Sequence, residues 1–241
     1  MKKVIAIIQA RVGSTRLPNK VLKNIQGKTI LNHVIERVSK SKYIDEIIVA
    51  TTDLKRDDEI IKECKRLRVK NFRGSEDDVL SRYYYSAKKY GADIIIRITS
   101  DCPLIDPVVI DELVKFYIEN DYEVVTNAIE RTYPRGLDTE VFSFNLLEDA
   151  FYNAKEKYQR EHVTPYIYEK SKFTFNYKNI EDYSKYRITV DTKEDFELIE
   201  AIYKELYKGE HNFYMSEIIK LLENNNTLVN INSNIKQKSI K

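Results

Sequence analysis

Three cations and two hydroxyls fall within ten residues near the start of the chain: Arg11, Ser14, Thr15, Arg16 and Lys20, with Gly13 among them. Cations at that density, on a segment where a glycine lets successive N–H groups converge, suit an anion carrying several charges, such as a polyphosphate. Two aspartates stand out for the opposite reason. Asp101 and Asp191 each follow an apolar run, and in each case a neighbour takes the helix cap. Asp106 precedes Pro107 in the first case, and Thr192 with Asp195 has capping-box spacing in the second. A carboxylate with no helix to cap, just past the carboxyl end of a buried strand, lies where open α/β sheets bind ligands. Thr52 ends another such run and can either cap the next helix or touch a ligand. The plain alternatives are a solvated basic loop and, for Asp191, the cap itself.

The elements that must position these groups are legible from periodicity. Short apolar runs at 3–8, 46–50, 69–72, 93–99, 123–126, 139–142, 173–177 and 187–190 read as strands. Between them, residues at helical spacing predict amphipathic helices over 30–40, from Asp57 to 67, 76–89, from Pro107, 145–157 and from Thr192. Ser75 followed by Asp78 predicts the start of the third helix, and Asp57 and Asp58 suit the first turn of the second. His33 falls beside the apolar stripe of the first helix, a packing position. Arg97 is the one charge after Asp93 in its strand and must be paired or emerge at the strand end. Arg82, on the first turns of its helix, either points back to the strand ends or pairs with Asp78 one turn earlier. This alternation predicts an α/β fold, a mostly parallel sheet with helices on both faces. The chain divides into one domain over 1–224 and a flexible polar tail over 225–241, with 228–231 a candidate late strand.

Composition narrows the function classes. With 40 basic and 38 acidic residues the net charge is +2, which gives no electrostatic footprint for nucleic acid. No run approaches the length of a membrane span, so a cytoplasmic protein is expected. The two cysteines, Cys64 and Cys102, lack metal-ligand spacing and fit a reducing compartment.

The run Arg-x-Gly-Ser-Thr-Arg-Leu-Pro-x-Lys at 11–20 resembles the nucleotide-binding loop of the sugar cytidylyltransferases, the enzymes that activate KDO and acylneuraminic acids with CTP. The closer resemblance is to the branch named for spore coat polysaccharide biosynthesis protein F, and it continues at intervals to Phe196. It implies a Rossmann-like nucleotidyltransferase fold, with a small lobe at 132–183 inserted to cover the acceptor and form a homodimer. It implies Mg²⁺ on Asp101 and Asp191, and CTP on Ala10, Gly13, Ser14, Thr15, Thr52, Arg73 and Ser75. Arg11, Arg16 and Lys20 then neutralise the leaving pyrophosphate. The acceptor side falls to Tyr133, Arg135, Asp138, Arg160 and His162. The implied reaction transfers CMP from CTP to a sugar or sugar acid. Three alternatives stay open. A glycosyltransferase of related fold commonly carries an Asp-x-Asp pair, and Asp101-Cys102-Pro103 lacks one. The others are a nucleotidyltransferase for a phosphorylated non-sugar acceptor, and a non-catalytic nucleotide-binding module.

Overall fold

The computed structural model describes residues 2–237, so 238–241, the end of the expected polar tail, lie outside the described residues. In chain order the elements begin with β1 (Val4–Gln9), a small hairpin of β2 (Asn24–Ile25) and β3 (Lys28–Thr29), α1 (Ile30–Val38), β4 (Glu46–Thr52), α2 (Asp58–Arg66) and β5 (Lys70–Gly74). There follow α3 (Val79–Tyr90), β6 (Ile94–Thr99), α4 (Pro107–Glu119), β7 (Val124–Thr126), β8 (Glu140–Ser143) and α5 (Phe144–Asn153). The chain continues through α6 (Lys157–His162), α7 (Pro165–Lys170), β9 (Thr174–Asn176), α8 (Lys193–Leu206), α9 (Met215–Glu223) and α10 (Asn226–Asn230).

Seven strands make one sheet in the order β5-β4-β1-β6-β8-β7-β9. β1 lies between two parallel partners, with Ile7 in register with Ile48 of β4 and Arg97 of β6. Only β8 runs antiparallel to its neighbours β6 and β7, so the sheet is mostly parallel. Strand alternation splits β1 between two cores. Val4, Ala6 and Ile8 pack with α1, α4 and α8, while Ile5 and Ile7 pack with α3 and α5. Both faces are therefore dry, which is why the strands read as continuous apolar runs rather than alternating ones.

The stretch 132–183 is built into the sheet rather than standing apart from it, supplying β8, β9 and α5–α7. Residues 187–190, read as a last sheet strand, do not join the sheet. They are extended, with a lone parallel bridge between Arg135 and Arg187, because their backbone pairs with the 133–136 loop and with Asp101 instead. The third helix begins at Val79, later than expected: Asp78 caps it by accepting from Ser81 N–H at 3.0 Å, and Ser75 only accepts from Asp78 N–H at 3.2 Å. The stretch read as a flexible tail is helical over Asn226–Asn230 and buries Asn232, and residues 228–231 form no strand. Isolated aliphatics there, Leu228, Val229 and Ile231, pack on the main core.

Arg97 is paired, as burial demands. Its cross-strand partner in β8 is Glu140, which binds Arg97 Nη1 and also accepts from Tyr168 Oη and, at 2.7 Å, from Thr164 Oγ1.

His33 is buried, and so is His211. His33 Nδ1 lies 2.9 Å from His211 Nε2, and His33 Nε2 lies 2.8 Å from Ile25 O. Burial pulls the His33 pKa down to about 4, and burial with the charges of Arg37 and His33 pulls His211 to about 3. A depressed folded-state pKa means that protons bind the unfolded chain first. This contribution to stability is complete above pH 6.5 and declines as pH falls toward 4. From His33 alone the loss at pH 5 is about 2 kcal/mol. Urea unfolding at pH 7 and pH 5 should show at least that drop, shrinking in His33→Gln/His211→Gln; an unchanged drop in the double variant would rule the pair out as its source.

Candidate functional site

The carboxyl ends of the parallel strands β1, β4 and β6 lie at one edge of the sheet. Asp101 follows β6, and Asp191 follows the extended segment 187–190. Three contacts bring the two together. Val190 N–H donates to Asp101 O at 2.8 Å, Thr189 Oγ1 donates to the same carbonyl at 3.1 Å, and Cys102 Sγ packs between Thr99 Oγ1 at 3.2 Å and Thr189 Oγ1 at 3.7 Å. Between the two carboxylates sits Lys20. Its Nζ lies 2.7 Å from Asp101 Oδ2, 2.7 Å from Asp191 Oδ1 and 2.9 Å from Val190 O.

Charge explains why two aspartates tolerate this closeness. Burial alone pushes each carboxyl up, but Lys20 more than offsets it. Asp101 ends below its ordinary value, and Asp191, which also faces Arg16 and Arg187, is held at about 2. In return the aspartates raise Lys20 against the burial that would lower it. Arg16 Nη2 reaches Asp191 Oδ2 at 3.0 Å and Arg187 Nη2 reaches it at 2.8 Å. Arg187 is held by Asp195, which is fully buried and accepts from Arg187 Nε at 2.9 Å, Asp191 N–H at 2.9 Å and Asn232 Nδ2 at 2.8 Å. Asn232 also donates to Arg187 O at 3.0 Å. The C-terminal segment thus braces the arginine that orients Asp191.

The cationic loop is anchored from the other side. Asp57, expected as a helix-start residue, accepts from Val12 N–H at 2.7 Å and from Thr52 Oγ1, tying the loop to the end of β4. Ala10 N–H donates to Ala50 O at 3.0 Å, and Ser14 N–H to Val12 O at 2.7 Å. The loop's left-handed residue is Asn19, with φ 57°, not Gly13. Gly13 is there for room, since a Cβ would stand 3.1 Å from Arg56 Nη2 and from Glu76 Oε1. Thr15 and Arg16 are exposed on the loop, and Arg11 points toward Glu76, with Nη1 at 3.8 Å from Oε1.

Several expected ligand residues also make hydrogen bonds within the fold. Thr52 Oγ1 is committed to Asp57. Arg73 donates Nε to Thr52 O at 2.9 Å, Nη1 to Asp58 at 2.7 Å and Nη2 to Leu54 O at 2.9 Å, which fills three of its five donors. Ser75 is exposed and serves the turn before α3. Arg160 binds Asp78 through Nε at 2.9 Å and Nη2 at 2.6 Å, and its Nη1 closes the carbonyls of Phe151 and Ala154. Tyr133 is 2% exposed and packs in the core.

Arg135 and Asp138 lie in or just after the loop that pairs with residues 186–188, and His162 ends α6. Gly136, at φ +114°, lets the loop lie against the 188–189 backbone; a Cβ would stand 2.7 Å from Ile188 C. That contact places Arg135 beside Arg187. Asp138 is held by a two-pronged pair with Arg131. Arg135 has no carboxylate at ion-pair distance among the described residues, and burial with the charges of Arg131 and Arg187 lowers its pKa. His162 is half-buried and its pKa is lowered, first by burial, with Arg97 and Arg11 adding to the shift and Glu161 opposing it. The next residue, Val163, is held at φ 71°, a strained position for a β-branched residue.

The group expected on Asp101 and Asp191 is Mg²⁺. Three oxygens, two of them carboxylate, already converge on one cation, the Lys20 ammonium, and hard oxygen donors suit Mg²⁺. Among the described residues no cluster of three or more His, Cys, Asp or Glu forms a metal cage, so such an ion would draw its other ligands from water and phosphate.

The chain and its fold match known proteins. Residues 5–234 match the family described as cytidylyltransferase. The spore coat polysaccharide biosynthesis protein SpsF of Bacillus subtilis is 35% identical over 238 residues, covering 93% of this chain and 96% of that protein. A solved cytidylyltransferase from Leptospira borgpetersenii superposes with a TM-score of 0.91 at 38% identity, covering 99% of this chain and all of that one. A CMP:2-keto-3-deoxy-manno-octonic acid synthetase solved in complex with CTP shares the fold, with a TM-score of 0.65 at 20% identity over 85% of this chain and 99% of that one.

Lys20→Met would leave Asp101 and Asp191 facing one another without their shared cation. Stability at pH 7 should fall by about 3 kcal/mol, and adding Asp101→Asn should recover part of it. Denaturant midpoints of the single and double variants test this; purely additive losses would break the proposed coupling.

Proposed function

The chain belongs to the cytidylyltransferase family, and from that premise we propose that it transfers CMP from CTP to a sugar or sugar-acid acceptor with release of pyrophosphate, in the synthesis of surface polysaccharide or glycoconjugate precursors. The observation that carries this reading is the Lys20 ammonium held between Asp101 and Asp191, with Arg16 against the same carboxylate. Cations and acids interleaved at a strand end can exchange partners when a polyphosphate arrives.

In this mechanism an acceptor oxygen attacks the α-phosphorus in line and pyrophosphate departs. Arg11, Arg16 and Lys20 bind the phosphate chain and stabilise the charge that builds on the leaving group, which is electrostatic rather than covalent catalysis. Arg16 grips oxygens as a fork and Lys20 acts as a point charge. Asp101 and Asp191 would hold Mg²⁺, whose chemistry there is to neutralise phosphate oxygens and lower the pKa of the attacking hydroxyl. Asp195 and Arg187 keep Asp191 ionised and aimed, so its carboxylate is preorganised. Arg135, the guanidinium with no carboxylate of its own, suits an acid group on the acceptor, and Asp138 and His162 suit its hydroxyls. A cytoplasmic homodimer fits this role.

Thermal unfolding with CTP, UTP, ATP and GTP, each with and without Mg²⁺, tests base and metal together. A ligand at a hundredfold excess over its dissociation constant adds about 2.7 kcal/mol, and the shift should be selective for CTP and larger with Mg²⁺. A shift only with a nucleotide-sugar would move the reading to a glycosyltransferase. Asp101→Asn and Asp191→Asn should each lose Mg²⁺-dependent pyrophosphate release while keeping the fold; full activity in either would refute the metal assignment.

A further inference from the structure

The three cations expected to grip phosphate each face an acid of this chain. Arg11 Nη1 lies 3.8 Å from Glu76 Oε1, Arg16 Nη2 lies 3.0 Å from Asp191 Oδ2, and Lys20 Nζ lies 2.7 Å from both Asp101 Oδ2 and Asp191 Oδ1. The converse also holds. Of the two carboxylates expected to hold a metal, Asp191 has both oxygens in ion pairs, Oδ1 with Lys20 and Oδ2 with Arg16 and Arg187. An ammonium has three donors, and Lys20 uses all three, the third on Val190 O at 2.9 Å. The groups suited to phosphate and the groups suited to a metal therefore satisfy one another.

The backbone at Lys20 is fixed, but its side chain is an arm. Asn19 is left-handed, Lys20–Leu22 form a short 3-10 turn, and Leu17 and Val21 are buried on either side. From that anchor a flexible four-carbon stem carries the ammonium to the three oxygens. A compact charge on such a stem can exchange one set of oxygens for another without moving the backbone.

We propose that Lys20 is a stand-in for a divalent cation and makes the binding of that cation and of a polyphosphate interdependent. The ammonium and a small dication need the same carboxylate oxygens, and like charges cannot share them without strong repulsion. A dication gains Asp101 and Asp191 only where an anion takes Lys20 from them. A phosphate chain gains Lys20 and Arg16 only where a cation takes their place on the aspartates. Each ligand supplies the charge that the other displaces, and such coupling is reciprocal. This rests on the nucleotidyl-transfer reading for the identity of the two ligands. It adds the rule by which they bind, together rather than one before the other.

The test uses Mn²⁺ alone and inorganic tripolyphosphate alone, with no nucleotide. Mn²⁺ takes the same oxygen donors as Mg²⁺ and is counted directly by electron paramagnetic resonance. The native chain should bind Mn²⁺ weakly, and Lys20→Met should bind it about ten- to a hundredfold more tightly, the usual size of a coupling between sites. Mn²⁺ should raise the unfolding temperature of Lys20→Met and leave that of the native chain unchanged. Adding Asp101→Asn to Lys20→Met should remove the gain. In EDTA, Asp101→Asn alone should bind tripolyphosphate about fivefold more tightly than the native chain, because it loosens Lys20. That second arm does not depend on Lys20→Met folding. A native Mn²⁺ affinity equal to that of Lys20→Met overturns the proposal. So does a gain that survives Asp101→Asn, which would place the ion elsewhere. So does an unchanged tripolyphosphate affinity in Asp101→Asn, which would mean that the acids do not hold Lys20 back. Failure of the cytidylyltransferase reading is seen separately, as a native chain with no preference for CTP over other triphosphates, and leaves the Mn²⁺ results as they are.

Discussion

The site depends on one ammonium shared by two carboxylates. Asp101 and Asp191 are ninety residues apart in sequence, and neither belongs to an element that pairs with the other as a strand. Mutual repulsion would drive them apart or force a proton onto one of them. Lys20, at 2.7 Å from both, removes that penalty and joins three segments: the loop after β1, the end of β6 and the extended run before α8. Each contact has a brace behind it. Asp57 holds the loop, Thr189 and Cys102 hold Asp101, and Asp195 with Asn232 holds Arg187 against Asp191. A charge cluster with this much support holds together with the chain's own groups alone.

Much of this was legible in the sequence because it follows local rules. The buried strands announced themselves as apolar runs, and Asp106 and Thr192 took the caps that freed Asp101 and Asp191. What was not legible depends on long-range pairing. The run 187–190 has strand composition, but its hydrogen bonds go to a loop and to Asp101, and periodicity carries no information about partners. The tail read as flexible because polar residues dominate it; three aliphatics and one asparagine are enough to dock it. Asp195 was recognised only as a cap residue, yet it also fixes Arg187.

Arginines were the hardest residues to assign, and the reason is physical. A guanidinium has five donors, and it serves a ligand only if the fold leaves some of them unfilled. Arg73 and Arg160 stand in the right stretches of sequence, but carbonyls and carboxylates of the chain occupy their forks. Arg135 is the converse case: it also stands in a matching stretch, yet it has no carboxylate at ion-pair distance among the described residues. Sequence reports which residues can donate. Only the folded chain reports which donations are already made.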